Sequence, residues 1–225
     1  MNTPFVIHAA DRTASSILLE IDNLRGSLAN ESPDLAVRIE GVAKMDALGA
    51  GFHGIASLDI QGELGDFGLC SLHDCECRVD GNVGDYFCHS LKSGLVILKG
   101  HAKNSLCALG WGGFLAIYGN AGDRLAVGLQ GAEMVVRGSA GDLACLGMQD
   151  GCVVIGGNTG RELGQGMRGG TIYLRGDAQS ISPDIEEIRV REPDRLKIGL
   201  LMIKAGIKSA GKEFRMYRSV HGESN

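Results

Sequence analysis

Residues 134–157 read MVVRGSAGDLACLGMQDGCVVIGG, and residues 158–176 continue NTGRELGQGMRGGTIYLRG. Within this stretch Gly138, Gly157 and Gly176 stand 19 residues apart, each behind a short apolar run. The spacing reaches back through Gly119, Gly100 and Gly81 to Gly62, seven glycines in one register. Other columns keep the period. Three places after the glycine stand Gly65, Gly84, Lys103, Gly122, Gly141 and Gly160; nine places after stand Ser71, Ser90, Leu109, Gly128, Gly147 and Gly166. A fixed period of this length marks a solenoid, in which no turn can bury its apolar side alone and stacked turns share one core.

Two and four residues before each glycine are apolar pairs: Leu58 and Ile60, Cys77 and Val79, Val96 and Leu98, Leu115 and Ile117, Met134 and Val136, Val153 and Ile155, Ile172 and Leu174. Alternate residues of a strand share a face, so these pairs form two inward columns. Further apolar columns are Leu72, Leu91, Leu129, Met148 and Met167, and Leu69, Cys88, Cys107, Ala126, Cys145 and Gly164. The pattern predicts an all-β chain, a single-stranded right-handed parallel β-helix of about seven turns, with a short C-terminal helix and an N-terminal cap. The seven glycines are assigned to corners, where the chain needs positive φ or close backbone approach. A left-handed hexapeptide helix is not favoured, because 19 is not a multiple of six.

Composition agrees. The chain has 225 residues with 35 glycines, about twice the usual share of roughly 7%. Only 5% are aromatic, so the core must be filled by small and aliphatic side chains. Four prolines and no three-residue glycine period exclude collagen. A net charge of −5 provides no basic footprint for nucleic acid. Residues 1–8 have neither a basic start nor a long apolar run, and the seven scattered cysteines read as reduced, so a cytoplasmic location away from membranes is expected.

Three segments are expected: a cap over residues 1–35, with Ile17, Leu18, Leu19 and Ile21 as its apolar content; the β-helix over 36–178; and a helix and tail over 179–225. Val37, Ile39 and Gly41 fit a first turn, with two extra residues before the next. Pro193 and Asp194 open the helix, which runs through Leu196, Leu200 and Ile203 to Gly206, and Phe214 to Val220 reads as a strand or extended tail.

The candidate sites each have a structural reading. Gly164-Gln-Gly166-Met-Arg-Gly169 has the form of a dinucleotide fingerprint, but a strand of the repeat follows it where such a site needs a helix. Cys70, His73, Cys75 and Cys77 are metal-ligand types in unusual spacing, and the same cysteines suit packed thiols. Asp66, Asp85, Asp123 and Asp142 share a column with Asn104 and Arg161. They could meet a cation or accept hydrogen bonds from their own turns. No nucleophile, metal pair or carboxylate pair marks catalysis. One column points outward: Asp59, Arg78, Ile97, Ala116, Val135, Val154 and Tyr173, three residues before each glycine. An apolar stripe of this kind must be covered, by the C-terminal helix or by another chain.

The run Gly160, Arg161, Gly166, Met167, Gly169, Gly170 and Tyr173 resembles the hallmark of the GXGXG domain at the C-terminus of the glutamate synthase large subunit. The same fold is known in one subunit of formylmethanofuran dehydrogenase and in the corresponding subunit of the formyltransferase–hydrolase complex. The chain looks like a free-standing version of the domain, as in the small subunit of N-methylglutamate synthase. The resemblance implies a scaffold with no catalytic residue, cofactor or metal of its own, first in an N-methylglutamate synthase-type complex and second in a formyl-transferring one, with a stand-alone binding β-helix as the remaining alternative. It implies partners: one subunit carrying FMN and an iron–sulphur cluster, and one resembling a class II glutamine amidotransferase. Gly211-Lys-Glu-Phe214 fits the family's short basic-aromatic close.

Overall fold

The computed structural model describes residues 3–28, 35–208 and 213–221. Gly211 and Lys212 of the proposed family close therefore lie outside the described residues. Strand β1 (Phe5–His8) and helix α1 (Ala14–Leu28) precede the coil. Strands β2 (Ala36–Met45), β3 (Ser57–Leu64), β4 (Glu76–Asp80), β5 (Leu95–Leu98), β6 (Phe114–Ile117), β7 (Gln130–Val136), β8 (Asp150–Ile155) and β9 (Thr171–Leu174) supply one strand per turn. Then come β10 (Ile185–Ile188), α2 (Glu192–Lys204) and β11 (Arg215–Ser219). All eleven strands form one sheet, ordered β1 to β9 and then β11 and β10. Pairing is parallel from β1 to β9 and antiparallel at β11 and β10.

The predicted register is the observed one. Leu58, Cys77, Val96, Leu115, Met134, Val153 and Ile172 pair in sequence from strand to strand, and all are buried in one core with the columns of Leu72 and Leu69. The two extra residues of the first turn appear as irregularities in the β2–β3 pairing, between Glu40 and Val42 and between Ala43 and Met45. Extra residues in one strand bend it and leave the ladder locally unpaired.

Helix α1 plugs the open end of the coil. Thr13 Oγ1 accepts from Ser16 N at 3.2 Å, an N-cap, and Ile17 and Ile21 enter the core. At the other end, β11 pairs with β9 and seals the last rung. The sequence pattern marks β1 and α1 only as an undifferentiated cap and does not mark β10. The β10 sequence Ile-Glu-Glu-Ile lacks the alternation of a half-buried strand, and its pairing is with a strand 30 residues later.

Of the two reasons expected for the corner glycines, close backbone approach is the general one. Only Gly62 of that column has positive φ; Gly81, Gly100, Gly119, Gly138, Gly157 and Gly176 do not. Their role is close approach. A Cβ at Gly138 would lie 2.5 Å from the carbonyl oxygen of Gly119 one turn below, and the other corners meet the preceding turn as closely. Left-handed backbone falls elsewhere, five, seven and nine places after the corner, and mostly on residues other than glycine. Phe67, Leu69 and Ser71, then Tyr86, Cys88 and Ser90, then Ser105, Cys107 and Leu109 all have φ near +55°. Such backbone costs about 1–2 kcal/mol per non-glycine residue. Here inter-turn hydrogen bonds compensate it: Ser71 N donates to His89 O at 2.8 Å and Cys88 N to Gly68 O at 2.9 Å.

Candidate functional site

The family-type run lies in the last full turn, and its contacts explain the residue types. Gly160 packs where a Cβ would strike Asp142 Oδ1, and Arg161 N donates to that oxygen at 2.7 Å. Gly166 has left-handed φ, and its N–H donates to Asp184 Oδ2 at 2.7 Å. Met167 is fully buried, and its carbonyl accepts from Ser219 Oγ at 2.8 Å. Gly169 leaves no room for a Cβ against the Gln149 carbonyl, and Gly170 has left-handed φ. Tyr173 is buried, and its hydroxyl reaches Asp194 Oδ1 at 3.3 Å. Burial pushes the Tyr173 phenol well above its ordinary pKa.

The run is thus the seat of the C-terminal cap. Asp184 is its clasp: the carboxylate also accepts from Ser182 Oγ at 2.9 Å and meets His221 Nε2 at 3.1 Å. The Gly166 N–H, then His221, then Ser182 hold the Asp184 carboxyl well below the usual carboxylate range. Hydrogen bonds to the charged form favour it. Asp194 carries the second link, because its Oδ2 accepts from Arg191 N at 2.8 Å and caps α2. Gly206, at φ +70°, ends that helix, with Ile207 N bonded to Met202 O at 2.8 Å in a Schellman closure.

The outward stripe is covered by this cap. Ala116, Val135, Val154 and Tyr173 pack with Ile198, Leu201, Met202 and Ala205 of α2 and its C-cap, and with Phe214 and Met216. Of the two covers open at the sequence level, the helix is the one observed. The cap does not use all of its own apolar surface: Leu196, Leu200 and Ile203 on the far side of α2 are 64%, 59% and 74% exposed.

The other candidates resolve as geometry. The G-x-G-x-x-G run leads into β9, with no helix after it. Cys75 and Cys77 are buried free thiols, Cys70 is half-buried, and His73 faces Asp74 at the surface at 3.4 Å. Burial pushes Cys75 up to about 11 and Cys107 to about 12, so both stay protonated near neutral pH. Among the described residues no group of three His, Cys, Asp or Glu side chains is placed to hold a metal ion.

The aspartate column does accept backbone hydrogen bonds, though from the following turn instead of its own. Asp85 N bonds Asp66 Oδ1 at 2.8 Å, Asn104 N bonds Asp85 Oδ1 at 2.8 Å, and Asp142 N bonds Asp123 Oδ1 at 2.9 Å. A second ladder, one residue after the corners, runs through Asn82, His101, Asn120, Ser139 and Asn158. Stacked turns bring each side chain within reach of the backbone one rung up, a contact invisible within a single repeat.

Two further surface features lie outside the candidates read from the sequence. The rings of Phe67 and Tyr86 stack with centroids 4.9 Å apart. A polar cleft of about 370 Å³ lies beside the irregular first turn, lined by Lys44, Asp46, Glu63, Asp66, Asn82 and Lys103 among others. Among the described residues no helix is long and apolar enough to cross a membrane.

The sequence pattern described as the GXGXG motif matches residues 23–198 of this chain. No curated protein matches it. Among solved structures, it is similar to a chain in the X-ray crystal structure of the formyltransferase/hydrolase complex (FhcABCD) from Methylorubrum extorquens in complex with methylofuran. The two share 22% identity with a TM-score of 0.70, and the match covers 96% of this chain and 91% of the other.

Proposed function

Since this chain belongs to the GXGXG motif family, we propose that it is a non-catalytic scaffold subunit of a hetero-oligomeric enzyme complex. One observation carries the reading: the rod's interior is filled by packed aliphatic side chains and thiols, while the outer apolar face of the cap helix, Leu196, Leu200 and Ile203, stays exposed. A rod whose rungs are bonded to one another holds attached surfaces in fixed relation better than loops would.

Two kinds of complex fit. A formyl-transferring complex is the first choice. The likeness to the Methylorubrum subunit runs over nearly the whole of both chains, so it takes in the caps as well as the rod. The second is an FMN-dependent glutamate synthase-like complex, most specifically N-methylglutamate synthase. It is favoured by the run from Gly160 to Tyr173. There the FMN and iron–sulphur cluster would sit on one partner and the amidotransferase-like domain on another, with the whole assembly in the cytoplasm.

Purification of the tagged chain from its own host, with the accompanying subunits identified by mass spectrometry, tests the proposal. A metal-dependent amidohydrolase among them supports the first kind, and a flavoprotein with an amidotransferase supports the second. A monomer that turns over either substrate set by itself would refute the scaffold reading.

A further inference from the structure

Helix α2 has two apolar faces, and the described residues cover only one. Ile198, Leu201, Met202 and Ala205 face the rod and are buried. Leu196, Leu200 and Ile203, spaced four and three residues apart, form a second stripe on the opposite side. That alternation of four and three is the narrow seam by which one helix receives another.

Gly199 lies in the same stripe, three residues after Leu196 and four before Ile203. Glycine inside a helix is disfavoured relative to alanine. Among the described residues nothing requires it here, because a Cβ at Gly199 would meet no atom within 4 Å. Glycine on a helix surface permits close approach by another backbone. None of the described residues makes that approach.

Charge indicates what would. Residues 185–221 carry nine Lys and Arg against five Asp and Glu, whereas the chain as a whole carries 22 against 27. Lys197 and Lys204 flank the seam on one side and share a single carboxylate, Glu133, each at 3.9 Å. The flank therefore keeps positive charge. A second copy of this chain packed antiparallel on the seam would set that lysine flank against its own equivalent, a repulsive arrangement.

We propose that the outer face of α2 is the docking seam for an acidic amphipathic helix of a partner subunit. Its apolar side packs on Leu196, Leu200 and Ile203, its backbone crosses at Gly199, and its carboxylates meet Lys197 and Lys204. The proposal rests on the scaffold reading and assigns the surface through which it operates.

The test uses the full chain and the subunits that co-purify with it, separated and added back. Gly199→Ala should raise the melting temperature of the isolated chain by about 2–4 °C, since helix propensity improves and nothing clashes. The same change should weaken re-association at least tenfold. Leu200→Glu should leave melting nearly unchanged and weaken re-association likewise. A benzophenone amino acid replacing Leu200 should cross-link to a helical, acid-rich segment of a stoichiometric partner.

If both variants re-associate like the parent, the seam assignment is wrong while the scaffold reading stands. A cross-link to a second copy of this chain, or binding to phosphatidylserine vesicles that Leu200→Glu abolishes, would also overturn it. If the parent chain co-purifies with nothing, both readings fail together.

Discussion

Gly138→Ala separates the two reasons a corner can demand glycine. If left-handed backbone were the reason, alanine would cost about 1–2 kcal/mol. Gly138 lacks positive φ, and a Cβ there would sit 2.5 Å from Gly119 O and 2.2 Å from Asn120 Oδ1. Contacts that short force the turns apart. Overpacking of this kind costs about 1–3 kcal/mol. Separation also weakens the bonds from Gly138 N to Gly119 O at 3.1 Å and from Ser139 N to Asn120 Oδ1 at 2.9 Å, worth about 1 kcal/mol each. Alanine returns about 0.4–1 kcal/mol by restricting the unfolded chain. The expected loss is about 2–4 kcal/mol, or roughly 4–16 °C in melting temperature for a chain of this size.

Two variants calibrate the result in the same calorimetric series. Gly147 has φ +63° with nothing within 4 Å of a Cβ, so Gly147→Ala should cost only the backbone term, about 1–2 kcal/mol. Lys99→Gln removes an exposed pair with Asp80 and should change melting little. If Gly138→Ala melts with Lys99→Gln, or no lower than Gly147→Ala, close approach is not what fixes the corners.

Three further outcomes follow from the same contacts. The Asp184 carboxyl has a folded pKa below its unfolded value, so its contribution is present above about pH 4 and lost as pH falls through the folded value. Asp184→Asn should therefore mimic acid by loosening the C-terminal cap, seen as faster amide exchange in β10 and β11 at neutral pH, with β3 to β6 unchanged. Asp142→Asn should be nearly neutral, because Asn104 already performs the same bonding in the column, whereas Asp142→Ala should cost about 0.5–1.5 kcal/mol in chemical denaturation by losing the exposed bond from Arg161 N. Thiol titration of the native chain at neutral pH should label Cys70 first and leave Cys77, Cys88, Cys107 and Cys145 unreacted until unfolding, since those four are wholly buried and protonated.

The site was only partly legible in the sequence. The run from Gly160 to Tyr173 stood out as a pattern, but its purpose depends on Asp184, Asp194, Ser219 and His221, which obey no period. Likewise the outward column from Ile97 to Tyr173 announced that something covers it. The identity of the cover required seeing Ile198 and Met202 packed on it. Leu196, Leu200 and Ile203 were visible as the apolar residues of a helix, yet sequence spacing alone assigns them to the inner face as readily as to the outer one.

The 19-residue column of glycines and the alternating apolar pairs were enough to determine the coil, its register and its rod of parallel strands. They were enough because a repeat poses the same packing problem at every turn, and each turn answers it with the same residues in the same places. Contacts made once could be decided only by the tertiary structure. It placed the left-handed backbone on leucines, cysteines and serines, where inter-turn hydrogen bonds compensate the strain. It also closed both ends of the rod and turned one face of α2 to solvent, since the partners in such contacts come from distant parts of the chain and leave no spacing to read.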